Sequence, residues 1–277
     1  SRKGLVNKMS LKTVNKGNKT QKTEVDLVRI RDLVSKQNSQ FKQSTKRLRV
    51  GLEGRAKTGK TGLAMDTEKK IYYLDCDGRA VPTWKVNYGA SDRILMFNPI
   101  AFDENGNEDA YTTQGNIRSF IALAQEAISN GEDIRFVWDG VDAWLNTCTL
   151  YMTGMENARI RAFKPSMQQE WYQRNQPFRT VLDEAWRLDC DQVYITHVKP
   201  PFRDEPPQAV WNKFDYKLDT IVGTSVTNTI KGAEYVAYIK SANYSTELVG
   251  KRFTFLTVPK TGEVSWTGLK KLKDGTL

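Results

Sequence analysis

The chain contains the octapeptide Gly54-Arg55-Ala56-Lys57-Thr58-Gly59-Lys60-Thr61, directly after the apolar-leaning run 48–52. It matches the full pattern G-x-x-x-x-G-K-[ST] of a phosphate-binding loop, or P-loop. In such a loop the backbone amides cradle a polyphosphate, the lysine reaches the terminal phosphates and the hydroxyl ligates Mg²⁺. The pattern predicts a binding site for ATP or GTP, formed by Gly54, Arg55, Ala56, Lys57, Thr58, Gly59, Lys60, Thr61 and Gly62.

The order of the remaining segments predicts an α/β fold with a mainly parallel central sheet. Strand-like runs alternate with helical or loop stretches, as in doubly wound sheets; they are 49–53, 70–75, 93–97, 134–139 and 192–197. Helices are predicted at 114–130 and 177–190, and two antiparallel edge strands at 234–241 and 252–258. Together these segments predict one domain over residues 48–277.

The apolar run Ile134-Arg135-Phe136-Val137-Trp138 ends in Asp139. A strand of this kind, called a Walker B strand, places its carboxylate beside the P-loop, where it holds the Mg²⁺ shell. We therefore expect Thr61 and Asp139 to form the metal site. The alternative is a strand that simply ends in a turn aspartate.

Three further polar residues follow predicted strands and are candidates for catalysis. Alternation along the strand that ends at Asp75 predicts that Asp75 and Asp77 point to the same side, where one of them orients or deprotonates the attacking water. His197 ends another strand and there can hydrogen-bond the γ-phosphate. The alternatives are solvated turn acids and a structural histidine.

The net charge of +10 is concentrated in the first 47 residues, which hold thirteen Lys or Arg against three Asp or Glu. Residues 1–23 have the composition of a disordered or adaptable basic arm. Residues 24–37 have the apolar spacing of an amphipathic helix. That helix packs either on the chain's own core or on a neighbouring protomer, and the arm is either a solvated tail or a nucleic-acid contact.

Two stretches interleave basic and aromatic residues, a composition that suits single-stranded nucleic acid. The first follows the strand ending at His197 and covers 199–217; the second lies between 159 and 174. Each stretch is equally compatible with a packed surface loop or a contact between protomers.

Taken in order, four segments resemble the RecA/RadA-type core ATPases: GRAKTGKT (54–61), YYLDCDG (72–78), FVWDGVD (136–142) and VYITH (193–197). The similarity is greatest to small phage-encoded RecA-core proteins that act with recombination or single-strand annealing machinery. The resemblance spans about residues 48–265 and implies a RecA-like fold with ATP and Mg²⁺ as ligands.

The resemblance also assigns roles to individual residues. Lys60 and Thr61 bind phosphate and Mg²⁺, and Asp77 stands where the family has its catalytic glutamate, one methylene shorter. His197 stands where the family has a glutamine-type γ-phosphate sensor. Lys260, with Arg252 as second choice, corresponds to a cation that reaches the neighbour's nucleotide.

The implied function is an ATPase that acts on single-stranded DNA in recombination, annealing or replication as a ring or filament of identical subunits. The resemblance also suggests an annealing or single-strand-binding protein as a partner. Alternatives are a hexameric helicase-like or packaging translocase, and an ATP-dependent DNA-binding scaffold with little hydrolysis. The sequence contains no apolar run long enough to span a membrane and no signal peptide, so the expected location is the cytoplasm, of the host if the protein is viral.

Overall fold

The computed structural model describes residues 27–39, 47–152, 167–199, 207–266 and 268. The chain divides into two units, residues 1–46 and 47–277. In the first unit the described segment is one helix, α1, at residues 27–39. Its apolar side chains are about half exposed: Leu27 52%, Val28 52%, Ile30 54%, Leu33 44% and Val34 48%. The surface that they cover stays a prediction.

The described residues of the second unit form twelve strands: β1 (Arg49–Gly54), β2 (Lys70–Asp75), β3 (Ile94–Phe97), β4 (Ala101–Phe102), β5 (Glu108–Asp109), β6 (Ile134–Asp139), β7 (Asp191–Lys199), β8 (Gln208–Ala209), β9 (Thr220–Thr229), β10 (Gly232–Ala242), β11 (Arg252–Pro259) and β12 (Ser265–Trp266). The order β9-β1-β7-β6-β2-β3 forms the parallel part of a ten-stranded sheet. Antiparallel strands β10, β11 and β12 extend it beyond β9, and β8 pairs with β7. The predicted α/β class, with its parallel centre and antiparallel C-terminal edge, is confirmed.

The helices of this unit are α2 (Lys60–Met65), α3 (Val81–Tyr88), α4 (Ala110–Ser129), α5 (Val141–Cys148) and α6 (Gln168–Trp186). Apolar side chains cover both faces of the sheet, since Phe136 and Trp138 of β6 join a core with α4, α5 and α6, while Val137 joins a second core with α2. Within the described residues, every helix is too short or too polar to cross a membrane.

Two of the elements that differ from the predictions do so because local signals are misleading. Strand β9 was not predicted, since its second half, from Ser225 onward, is polar and exposed. Helix α6 begins at Gln168 rather than at Pro177. Proline favours the first turn of a helix, but here Pro177 lies inside it and the first turn is instead closed by Glu170, whose carboxylate accepts the Met167 N–H at 3.2 Å.

The register brings four strand ends together at one edge of the sheet. Gly54, at the end of β1, is level with His197 on β7, and Asp139, at the end of β6, is level with Asp75 on β2. Because β7 lies between β1 and β6, the P-loop and the Walker B strand flank the strand that carries His197. The carboxyl edge of a parallel sheet is the usual place for ligands in α/β proteins.

Candidate functional site

The P-loop joins β1 to α2 and has the backbone conformation that its glycines permit. Gly59 has φ of +83°, and an added Cβ would lie 2.9 Å from the Phe255 ring. Lys60 is folded back across the loop, where its Nζ donates to Gly54 O at 3.0 Å and to Arg55 O at 2.7 Å. Burial lowers the pKa of Lys60, although Asp139 and Asp142 act in the opposite direction. The lysine thus lies where a bound phosphate would replace the two carbonyls as its partner.

Asp139 and Thr61 meet as a metal site requires. The Thr61 hydroxyl donates to Asp139 Oδ2 at 3.1 Å, and the Tyr73 hydroxyl donates to the same oxygen at 2.6 Å. Burial raises the pKa of Asp139 to about 6, against the hydrogen bond from Tyr73. One carboxylate and one hydroxyl suit Mg²⁺, which takes its remaining ligands from water and nucleotide phosphates. The donor set therefore fits this ion.

Strand alternation predicts that Asp75 and Asp77 point to the same side, and this prediction is wrong. The chain turns directly after β2, and the buried Asp75 carboxylate accepts the backbone N–H groups of Gly78 at 2.8 Å and Ala80 at 3.0 Å. Burial raises the pKa of Asp75 in spite of these bonds. Asp75 therefore shapes the turn that leads into α3, and Asp77 is the carboxylate that lines the cavity.

Asp77 is held by a residue that the sequence analysis missed. Arg79 donates from Nε to one carboxylate oxygen at 2.6 Å and from Nη2 to the other at 2.7 Å. Such a bidentate pair fixes the plane of the carboxylate. The only signal in the sequence is the spacing of two between the charges, which is common in turns.

His197 is held by a second missed residue, Asp142, in the first turn of α5. Its Nδ1 lies 3.2 Å from Asp142 Oδ2, and its backbone N–H donates to Asp142 Oδ1 at 3.3 Å. Burial by itself would raise the pKa of Asp142, but the hydrogen bond and charge of His197 outweigh it and the pKa is lowered. On the other edge of the ring, Nε2 lies 3.9 Å from Asp77 Oδ2.

Several of these groups line one cavity of about 640 Å³, a volume typical of small-molecule sites. The lining includes residues 56–62 of the P-loop together with Asp77, Arg79 and His197, whereas Asp139 lies behind Thr61. Side chains of α3 and of the antiparallel edge of the sheet complete it: Pro82, Thr83, Asn87, Tyr235, Leu256 and Trp266. Trp266 is anchored there, since its Nε1 donates to Asp66 at 2.8 Å.

Lys260 and Arg252 are not among the residues that line this cavity. In the register of the sheet, Gly54 of β1 pairs with Thr224 of β9, and Thr224 pairs with Ala237 of β10. Ala237 in turn pairs with Phe253 of β11, so Phe253 is level with Gly54. Lys260 follows seven residues later in the direction of β1, which is about 20 Å along a strand. It therefore extends past the nucleotide edge of the sheet, whereas Arg252 remains level with the body of β1.

Much of the predicted basic-aromatic stretch after His197 belongs to the core. Trp211 and Phe214 are buried, and Lys217 Nζ pairs with Asp183 at 2.5 Å. Residues 200–206, and 153–166 of the other stretch, lie outside the described residues. The described end of that other stretch presents Trp171, 47% exposed, and Tyr172, 64% exposed.

The segment Asn212-Lys213-Phe214-Asp215 matches the Asn-Lys-x-Asp pattern of guanine-binding proteins. The structure places it away from the P-loop cavity, of which it lines no part. The Asn212 amide donates to Asn175 at 3.0 Å, and the Phe214 ring packs edge-on against Tyr194. Here the pattern forms a turn over the core and does not indicate GTP.

No family model matches the chain, and a comparison with curated proteins gives no match. Solved structures similar to it include a KaiC-like protein from Pyrococcus horikoshii, with 12% identity over 79% of this chain and 88% of that protein, at a TM-score of 0.44. The RadB recombinase is similar with 15% identity over 79% of this chain and 90% of that protein, also at 0.44. At such scores the function has to be inferred from the geometry of the chain itself.

Proposed function

We propose that the protein is a RecA-like ATPase that binds ATP with Mg²⁺ and acts on single-stranded DNA. The observation that carries the nucleotide part is that the P-loop, Asp77 and His197 line one cavity, and that Asp139 lies directly behind it, hydrogen-bonded to the cavity-lining Thr61. No simpler structural role requires a buried lysine, a metal-type carboxylate and a held imidazole at the same strand edge.

Each residue has a distinct task in this proposal. The Lys60 ammonium exchanges its two loop carbonyls for the terminal phosphates, and Thr61 and Asp139 hold the metal ion. When bound, Mg²⁺ neutralises charge that develops on the phosphate oxygens. Asp77 and His197 lie at the end of the cavity where a water attacks the γ-phosphorus, and Arg79 fixes the carboxylate plane.

The part of the cavity lining near Gly62 suggests that the ligand is a nucleoside triphosphate rather than a bare polyphosphate. Beside Gly62, the Trp266 ring and the Thr83 methyl form two walls, 3.3 and 3.8 Å from the position of an added Cβ. An aromatic ring beside an apolar methyl suits the face of a nucleobase. Trp266 is thus placed to stack on the base.

The test is a binding measurement with Mg·ATP and with Mg·tripolyphosphate. Lys60→Ala loses charge-assisted hydrogen bonds worth about 1.5–3 kcal/mol each, so affinity for both ligands should fall by at least about 10-fold. Trp266→Leu should lower the affinity for ATP but not for tripolyphosphate, and Trp266→Phe should bind both ligands with the affinity of the wild type. Lys85→Ala, an exposed lysine on α3, and Trp171→Leu serve as controls. Unchanged ATP binding in Lys60→Ala would contradict the proposal.

The proposal that the protein acts on single-stranded DNA rests on the basic residues near the N-terminus and on exposed aromatic rings. Residues 1–23 carry seven lysines or arginines, and Trp171 and Tyr172 present exposed rings on α6. If the arm touches phosphates, deletion of residues 1–23 should reduce the salt dependence of single-stranded DNA affinity by about 0.7 in log–log slope for each contact removed. An equal slope for both proteins would exclude the arm from the interface.

One observation favours the scaffold alternative, in which ATP is bound but little hydrolysed. The Asp77 carboxylate, already one methylene shorter than glutamate, has both oxygens occupied by Arg79. Arg79→Ala frees the carboxylate without changing the P-loop. A rise in turnover in this variant would show that the pair restrains hydrolysis; a fall would assign Arg79 to transition-state stabilisation.

A further inference from the structure

In the part of the chain that the structure describes, the hydrogen bonds that hold His197 come from one side. Asp142 lies against Nδ1 and the backbone N–H, while Nε2 lies toward Asp77 and the cavity. Among the described residues, the charged groups that face the ring are the carboxylates of Asp142 and Asp77, and Arg79 is already paired with Asp77. The imidazole is therefore fixed in orientation with one ring nitrogen available to a ligand.

The contacts of Asp142 decide which ring nitrogen carries the proton. Its Oδ1 accepts the His197 N–H at 3.3 Å and is 3.4 Å from the Thr196 hydroxyl, and its Oδ2 is 3.2 Å from Nδ1. An ionised carboxylate accepts hydrogen bonds and donates none. Nδ1 must then be the donor, so that in the neutral ring Nε2 has a lone pair.

This tautomer does not suit a γ-phosphate sensor that donates from Nε2, but it suits a proton acceptor. We propose that His197 is the general base for the attacking water and that Asp142 is the positioning residue that holds it in the required tautomer. The inference rests on the proposed ATPase function. It removes the need for Asp77, whose two oxygens are held by Arg79, to accept the proton.

The step balances without a further reactant. The water oxygen bonds to the γ-phosphorus, the bond from that phosphorus to the β,γ-bridging oxygen breaks, and ADP leaves. The water proton passes to the Nε2 lone pair, and the Asp142 carboxylate stabilises the resulting imidazolium. The imidazolium then releases the proton to solvent together with inorganic phosphate.

The first experiment reads the tautomer directly and needs no turnover. His197 is the only histidine of the chain, so a long-range ¹H–¹⁵N spectrum contains one imidazole. The neutral ring should be protonated at Nδ1 in the wild type. In Asp142→Asn the amide oxygen should stay on the His197 N–H and Thr196, so the amide NH₂ replaces Oδ2 and donates to Nδ1, which moves the ring proton to Nε2.

The control is Asp189→Asn, an exposed carboxylate that pairs with Arg47 at 3.4 Å and should leave the tautomer unchanged. A wild-type ring protonated at Nε2, or an unchanged tautomer in Asp142→Asn, would overturn the inference.

The second experiment separates a base from a sensor. His197→Gln keeps a side chain that hydrogen-bonds the γ-phosphate but cannot take up a proton. Loss of a general base should lower kcat by about 10²-fold with KM for ATP unchanged, and Asp142→Asn should do the same. Full turnover in His197→Gln would identify His197 as a sensor and refute the base. A wild-type protein that binds ATP without hydrolysing it would also refute the base but leave nucleotide binding intact, whereas absence of ATP binding would refute the proposed function.

Discussion

At the scale of single residues, Asp139 shows what the burial of an ionised carboxyl group in the site costs the folded protein. The carboxyl is 4% exposed, and burial raises its pKa from 3.8 to about 6. An acid with a raised pKa in the folded state favours folding in its protonated form, so stability is highest below the unfolded pKa and declines as pH rises from about 4 to about 6. Above that range the penalty is constant.

We therefore predict that Asp139→Asn stabilises the Mg²⁺-free protein by roughly 2–3 kcal/mol near pH 8 and has little effect near pH 4. The amide keeps an acceptor for Thr61 or Tyr73 and has no charge to desolvate. Urea unfolding at the two pH values measures the difference, with Asp92→Asn, an exposed carboxylate, as control. The same variant should lose Mg²⁺-dependent ATP binding. Equal destabilisation at both pH values would contradict the assignment.

The residues that the sequence predicted best are those whose positions follow from strand ends. Lys60, Thr61, Asp139, Asp77 and His197 all surround the P-loop region because parallel strands deliver their carboxyl ends to one edge. Side-chain direction was not predictable. Whether a residue after a strand lines the cavity or closes the turn depends on the turn itself, which is why Arg79 and Asp142 were missed and Asp75 was misplaced.

At the scale of elements, the buried strands were predicted because strands covered on both faces read as apolar runs. β9 was not, although it flanks β1 and brings Thr224 to within 2.7 Å of Thr58 in the P-loop. Its exposed half extends beyond the parallel sheet to pair with β10. That pairing is a local hairpin closed by Ile230 and Lys231, which lack the Asn-Gly or Asp-Gly signal of a two-residue turn.

Glu53 links β1 to β10 and to the segment between β8 and β9. It lies on β1, is 3% exposed, accepts the Trp211 indole N–H at 2.7 Å and pairs with Lys240 of β10. Glu53 is buried, but the Lys240 side chain is 44% exposed, so water partly screens the pair. Lys240→Met still leaves the Glu53 carboxylate without its cation and should destabilise the protein by roughly 1–2 kcal/mol. Glu53→Gln keeps the acceptor for Trp211 and should cost less.

A double-mutant cycle tests this network. Combined with Glu53→Gln, Lys240→Met should cost much less than it does in the wild-type background, because no buried charge is then left without a partner. Denaturant unfolding provides the four free energies. The same cost in both backgrounds would show that the two residues are not coupled, and that the effect of Lys240→Met comes from lost packing.

At the scale of the whole molecule, the charge is unevenly distributed: residues 48–277 carry equal numbers of basic and acidic side chains, and the excess of +10 lies in residues 1–47. The candidate catalytic residues are unevenly distributed as well. Lys60 and Thr61, the candidate phosphate and metal ligands of the P-loop, line one cavity, whereas Lys260 extends about 20 Å past the first P-loop glycine. Both features are expected of a subunit that works with a second copy and a polyanion.

A site shared between two subunits, if Lys260 contributes to it, makes a prediction that a monomeric enzyme does not. If Lys260 acts on the neighbour's ATP, Lys60→Ala and Lys260→Ala should each lose hydrolysis, but Lys260→Ala should still bind ATP through its intact P-loop. In a mixture, the P-loop of a Lys260→Ala subunit can face the intact Lys260 of a Lys60→Ala subunit, so activity should reappear well above that of either variant alone. The matched control is Lys251→Ala, at the opposite end of β11, which should hydrolyse ATP as the wild type does. Activity that stays absent over all mixing ratios, in variants that still assemble, would place Lys260 outside the shared site.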